Sequence, residues 1–170
     1  NRPRRPCDRT EGMPPAPILD PTQRAFLVAA RRAVLATTAP DGRPRLVPIC
    51  YIVDDDAPDG RPRLYTPLDE KPKRVDDPRD LARVRDLLAA PDVTLLVDRW
   101  SEDWSRLGWV RLYGSGVVLE PQTQDREEHA AAVTALRTKY PQYATHALEI
   151  RPIIRLAIDR AVSWGDFSPD

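Results

Sequence analysis

No apolar run in this 170-residue chain approaches the ~20 residues that a membrane-spanning helix needs, and no secretory leader pattern is visible. An excess of charge is missing too: 26 Lys and Arg balance 26 Asp and Glu. A neutral chain has no global field to draw nucleic acid or a membrane surface, so any anion must be held by a local cluster of cations. Cysteine is scarce, with only Cys7 and Cys50, which make no disulfide framework; a reduced cytoplasm is the expected compartment. Glycine is scarce as well, seven against nineteen prolines, and the glycine-dependent signatures are absent. There is no Gly-x-Ser-x-Gly elbow, no Gly-x-x-x-x-Gly-Lys phosphate loop and no Gly-x-Gly-x-x-Gly. "GSG" at 114–116 is too short to count and is expected to be a bulge in a bent strand. The two histidines, His129 and His146, lack a carboxylate or cysteine at ligand spacing and read as exposed helix residues, so no metal is expected. Cys50 has no neighbouring histidine to activate it.

What is present begins with a repetition. "APDGRPRL" occurs at Ala39–Leu46 and again, letter for letter, at Ala57–Leu64. No third copy follows, which excludes a repeat architecture. Asp-Gly between apolar runs is a hairpin signal, because glycine supplies the positive φ of the turn. The two copies therefore predict a three-strand meander with strands near 33–38, 45–53 and 63–68. In the second, Leu46 to Val53 are nearly all apolar, so both faces should be covered; Pro48 cannot donate to a ladder and belongs at an edge or bulge. A doubly covered strand in so small a protein points to a closed barrel with a partner subunit outside it.

Residues 1–17 are rich in Pro and Arg and read as a disordered tail, leaving 18–170 as one domain. Asp20-Pro21-Thr22-Gln23 is a helix-start signal, with a cap, a proline at the first helical position and a capping-box Gln. Asp77-Pro78-Arg79-Asp80 repeats it and opens a second helix with Leu81, Val84, Leu87 and Leu88 on one side. A third runs from about Gln124 to Tyr140. "PDVTLLVDRW", "LGWVRLYGSGVVLE" and "IIRLAIDRAVSWG" complete six strands. The expected fold is α+β, a six-stranded antiparallel barrel with three flanking helices.

One cluster of cations stands out. Lys71, Lys73 and Arg74 lie between a strand end and the N-terminus of the second helix, where N–H groups and the helix dipole favour an anion. Pro72 stiffens the loop so that both ammonium groups point one way, and Thr66 adds a hydroxyl upstream. This is the layout of a phosphate clamp. A solvated loop, ion-paired to Asp69, Glu70, Asp76 and Asp77, explains the same residues equally well.

The succession "RAVLATTAPDGRPRLVPICYIVDD…RLYTPLDEKPKR…DLARVRDLLAAPDVTLLVDRWSEDW…WVRLYGSGVVLE" resembles the pyridoxamine 5′-phosphate oxidase-like split-barrel superfamily, and more narrowly its coenzyme F420-dependent branch. The resemblance runs from Pro21 onward. It implies a homodimer of six-stranded split barrels, with a flavin or deazaflavin in each groove between the subunits. Carried over by position, Arg45, Val47, Pro48 and Ile49 would line the ring and Tyr65, Thr66 and Pro67 would flank the ribityl chain. Lys71, Lys73 and Arg74 would bind the phosphate, and Trp104 or Trp109 of the partner chain would wall the groove. The C-terminal basic substrate motif of the FMN oxidases is missing from "IDRAVSWGDFSPD", which disfavours pyridoxamine phosphate oxidation. The implied activity is hydride transfer from reduced F420 to an enone, quinone or other unsaturated small molecule. The alternatives are a non-turnover carrier or sensor of F420 or FMN, and an FMN-dependent reductase. Arg79, Arg83 and Arg85 on the second helix would suit the polyanionic tail of F420. Tyr65 and Tyr113 are candidate proton donors that no spacing separates.

Overall fold

A computed structural model of the protein describes residues 17–54, 57, 59–70 and 76–169. The start signal at Asp20 forms as read. In α1 (Pro21–Ala29), the Asp20 carboxylate accepts from the N–H groups of Thr22 and Gln23, and the Gln23 side chain accepts from the Asp20 N–H. The strands are β1 (Ala33–Thr38), β2 (Pro44–Ile49), β3 (Ile52–Asp54), β4 (Arg63–Pro67), β5 (Asp92–Arg99), β6 (Gly108–Leu119) and β7 (Ile153–Gly165). Two further helices, α2 (Ala82–Ala89) and α3 (Arg126–Lys139), follow β4 and β6 respectively. The signal at Asp77 caps only a 3-10 turn, Pro78–Asp80; extended Leu81 (ψ 136°) then interrupts the chain before α2.

The described residues form one seven-stranded antiparallel sheet in the order β2-β1-β5-β6-β7-β4-β3, one strand more than the six expected, and the three-strand meander does not form. The apolar run expected as a single strand over 45–53 breaks at Cys50–Tyr51. Its first part pairs with β1, its second with β4. The repeated octapeptide thus builds the tips of two separate hairpins. Gly42 (φ 80°) donates to the Ala39 carbonyl, and Gly60 (φ 68°) donates in the same way to Ala57.

This break shapes the molecule. β2 and β3 are opposite edges of the sheet, yet only two residues separate them. The sheet therefore curls so that the chain joins its two edges at Cys50–Tyr51, but among the described residues no ladder pairs them, and the sheet is not the closed barrel expected. The corner is pinned from two helices. The Tyr51 hydroxyl donates to the Leu27 carbonyl (2.7 Å), and the Tyr140 hydroxyl accepts from Tyr51 N–H (3.0 Å) and lies 2.8 Å from its carbonyl.

Alternation along the strands sends Leu35, Leu64, Val93, Leu95, Val97, Val110, Leu112 and Leu156 into the barrel, with Phe26 and Leu27 of α1 and Val84 and Leu87 of α2. A second cluster, Tyr65, Leu119, Ala132, Val133, Leu136, Tyr140 and Tyr143, seats α3 on the outside. His129 shares that apolar face of α3. It is buried, not exposed as expected, and its Nε2 lies 2.8 Å from the Arg151 carbonyl. Its spacing to Ala132, Val133 and Leu136 is the i, i+3, i+4, i+7 pattern of a buried stripe. The "GSG" segment is the expected bulge, with the register of β6 against β7 shifting between Tyr113 and Gly114. A side chain at Gly114 would collide with the Ala157 carbonyl.

β2 is an edge strand, and within one chain it leaves Pro44, Arg45, Leu46 and Pro48 exposed, Leu46 by 64%; this open outer face is the one for which a partner subunit is expected. The outer face continues across the sheet through Leu96, Trp109, Tyr113 and Trp164.

Candidate functional site

The register of β2 on β1 decides which expected residues share a face. Thr37, Leu35 and Ala33 are buried and lie opposite Arg45, Val47 and Ile49, so these three turn inward while Pro48 turns out. Ile49 is buried and Val47 packs on the barrel core, so neither side chain is free to line a groove. On β4 the same alternation divides the other triplet. Thr66 shares the inner face with Leu64, whereas Tyr65 and Pro67 turn the other way, and Tyr65 packs under α3.

Arg45 stands at the mouth of the barrel. Its Nε donates to Asp86 Oδ2 on α2 (2.8 Å), and the Thr37 hydroxyl donates to the same oxygen (2.8 Å). Asp86 is only 2% exposed. A buried carboxylate is tolerable when two donors and a countercharge meet it. The Arg45 side chain stays 43% exposed, and its two Nη groups make no hydrogen bond among the described residues. The fork therefore opens outward while its root is fixed.

One turn earlier on α2, Arg83 is partly buried, and its Nε has no hydrogen-bond partner among the described residues. Burial pushes the guanidinium below its ordinary value, against the opposing pull of the Asp69 carboxylate. Asp69 is buried and accepts from the Tyr143 hydroxyl (3.0 Å). Arg151 holds this segment through the Leu68 carbonyl (3.0 Å). Arg45 and Arg83 thus converge on one face of α2, through Asp86 and directly, at i and i+3. A buried donor without an acceptor is costly, so this face suits an anion. Arg79, in contrast, is committed to Glu120 by two hydrogen bonds (2.9 and 2.6 Å), and Arg85 is exposed. Lys71, Lys73 and Arg74 lie outside the described residues.

Tyr65 is locked. Its hydroxyl donates to Glu128 of α3 (2.6 Å), which also accepts from Arg63 (3.1 Å) and Arg155 (2.8 Å). Burial, then Glu128, pushes the phenol above its ordinary value. Burial raises Glu128 as well, but the hydrogen bonds from Tyr65 and Arg155 outweigh it and hold the carboxyl low. Tyr113 lies on the outer face with the Arg160 guanidinium 4.2 Å from its ring. Trp104 is exposed on the turn between β5 and β6, and Trp109 stands on the outer face opposite Trp164. Neither tryptophan reaches Arg45 within one chain's inner face.

Near the corner, Cys50 is a half-buried thiol, and Lys139 Nζ lies 4.4 Å from the centre of the Tyr51 ring without a hydrogen bond among the described residues. Burial pulls this ammonium down to about 8. Among the described residues no three His, Cys, Asp or Glu gather as a metal site, and no helix is long and apolar enough to cross a membrane.

The sequence pointed to Arg83 as one of three candidate cations on the second helix but did not announce Asp86 or Glu128. Leu88 was expected on the apolar side of α2, yet it is 75% exposed while Asp86 is buried. The bonds from Arg45 and Thr37, 41 and 49 residues away, explain that rotation.

The family model described as pyridoxamine 5′-phosphate oxidase matches residues 19–165. No curated protein matches the sequence significantly. Among solved structures, a conserved hypothetical protein of Mycobacterium tuberculosis is 21% identical, with 88% of each chain covered and a TM-score of 0.64. An FAD-binding protein of Mesorhizobium loti is 23% identical over 81% of this chain and 88% of that one, TM-score 0.56. An F420 reductase is 17% identical over 82% of this chain and 94% of that one, TM-score 0.56. At these identities the likeness is one of fold.

Proposed function

The chain belongs to the pyridoxamine 5′-phosphate oxidase family, and on that premise we propose that it is an F420-dependent oxidoreductase acting on an unsaturated or quinone-like small molecule. The observation that carries the reading is the pair of guanidiniums at the split edge. Arg45 offers an open fork fixed by Asp86, and Arg83 offers a buried Nε in want of an acceptor. Both suit the phosphate and carboxylate groups of F420. A reduced deazaflavin held by these residues would supply the hydride.

The residues of the chain bind and orient. The edge of β2 would supply backbone contacts to the ring, Thr66 would contribute from β4, and Lys71, Lys73 and Arg74 are the cations proposed to bind the phosphate. Tyr65 is excluded as a proton donor by its bond to Glu128 and its raised value. A second copy of the chain covers the outer face of β2, β1, β5, β6 and β7, where Leu46, Leu96 and Trp164 are exposed. It brings Trp104 or Trp109 to wall the groove.

Titrating apoprotein with F420 and with FMN, following cofactor fluorescence, tests the reading. F420 is expected to bind at least tenfold more tightly than FMN, because the extra guanidiniums meet its longer anionic tail. Replacing Lys71 or Lys73 by Ala should weaken binding by about one to two orders of magnitude, the loss of one charge-assisted contact. Preference for FMN would make the protein a flavin reductase. Binding of neither would refute the proposal.

A further inference from the structure

Away from the split edge, a cavity of ≈ 630 Å³ lies between α1 and the C-terminal segment. Its volume falls within the roughly 300–1,000 Å³ of small-molecule sites. The walls are apolar: Ala29 and Phe26 from α1, and Phe167 and Pro169 from the other side. The Phe26 and Phe167 rings meet edge to face at 5.2 Å, which holds the two walls in place.

The rim carries the information about what enters. Arg31, Arg32, Asp98 and Arg99 all line it. Arg99 is spent on the protein itself, donating to the carbonyls of Arg106, Asp166 and Ser168 and to the Asp166 carboxylate. Arg31 is exposed, its guanidinium rests 4.7 Å from the centre of the Tyr140 ring, and its side chain makes no hydrogen bond or ion pair among the described residues. Arg32 makes no hydrogen bond or ion pair among the described residues. Two guanidiniums with unspent donors therefore face a single carboxylate, Asp98, over an apolar chamber.

We propose that this cavity is a binding site for a small monocarboxylate with an apolar body, its carboxylate held by Arg31 and Arg32 and its body laid against the paired rings of Phe26 and Phe167. The site is independent of the cofactor reading, since none of its lining residues belongs to the β2–α2 edge. Charge argues against the N-terminal segment as the occupant. Residues 1–16 carry four arginines against one Asp and one Glu, so an arginine-rimmed chamber repels them.

Calorimetric titration of the full chain with decanoate and with decanol separates the terms. Decanoate is expected to bind once per chain and at least tenfold more tightly than the uncharged alcohol. The Arg31→Ser/Arg32→Ser variant should lose about tenfold in decanoate affinity and nothing for decanol. Ala29→Trp, on the exposed side of α1, fills the chamber and should abolish binding of both; Ala25→Leu serves if that variant melts early. Equal affinity for the two probes, binding that survives Ala29→Trp, or no binding at all overturns the proposal. So does a site that opens only when residues 1–16 are removed, since the tail would then be the occupant.

Discussion

Replacing Arg45 by Met tests the fixed root of the candidate anion site and its open fork together. The substitution keeps most of the side-chain volume but strands Asp86, whose carboxylate is 2% exposed, with the Thr37 hydroxyl as its remaining side-chain donor. Breaking a buried pair from the side that leaves a buried charge costs about 3–5 kcal/mol. Because Arg45 itself is 43% exposed, the low end applies, ~3 kcal/mol. Asp86→Asn is the contrasting change. It leaves an acceptor oxygen for both Thr37 and Arg45, and the surviving guanidinium reaches water, so it should cost only ~1 kcal/mol. With m of ~2 kcal/mol per M of urea, the midpoints should fall by ~1.5 M and ~0.5 M respectively, at unchanged m. Cofactor titration supplies the second axis. Arg45→Met should lose at least tenfold in F420 affinity, while Asp86→Asn stays within about threefold because the fork survives. Equal stability losses would refute the asymmetry of burial on which the reasoning rests. An unchanged affinity in Arg45→Met would remove Arg45 from the site.

Leu46→Glu places a charge on the outer face where Leu46 is 64% exposed; sedimentation at micromolar protein should show a dimer for the parent and a 19.2 kDa monomer for the variant. A monomeric parent would sink the two-chain groove. Lys139, drawn from 10.5 down to about 8 by burial, binds fewer protons folded than unfolded between those values, so stability should rise with pH across that window. Lys139→Met should accordingly raise Tm at pH 7 and lose that advantage as the pH passes 8. The scan should stop near pH 10, where unfolded tyrosines ionise before the raised Tyr51 and stability falls again.

Local signals were legible wherever a short stretch decides its own geometry. The Asp20 capping box, both Asp-Gly turns, the bulge at Gly114 and the limits of β7 all came from neighbours in sequence. What depended on distant partners was hidden. The run 45–53 shows no polar or glycine break at Cys50, yet the chain turns there because Leu27 and Tyr140, 24 and 89 residues from Tyr51, hold that residue's polar groups. His129 was misjudged by composition although its helical spacing placed it on the buried stripe. For the site, Arg45 and Thr66 share the inner face, whereas Pro48, Tyr65 and Pro67 turn away from it within one chain. Alternation along an extended strand separates neighbours that a linear motif treats as a unit.

The two prolines of β2 carry a consequence for self-association. Pro44 and Pro48 pair with Thr38 and Val34 across the β1 ladder and lie on the same parity of the strand as Leu46. Lacking an N–H, prolines occupy the side of an edge strand that faces away from its partner. The free side of β2 therefore shows three carbonyl oxygens and one donor, the N–H of Leu46. A foreign strand needs alternating donors and acceptors to add itself, so this edge resists strand addition even though it is long and partly apolar. Restoring the donors, as in Pro44→Val/Pro48→Val, would turn a protected rim into a template for fibrous aggregates.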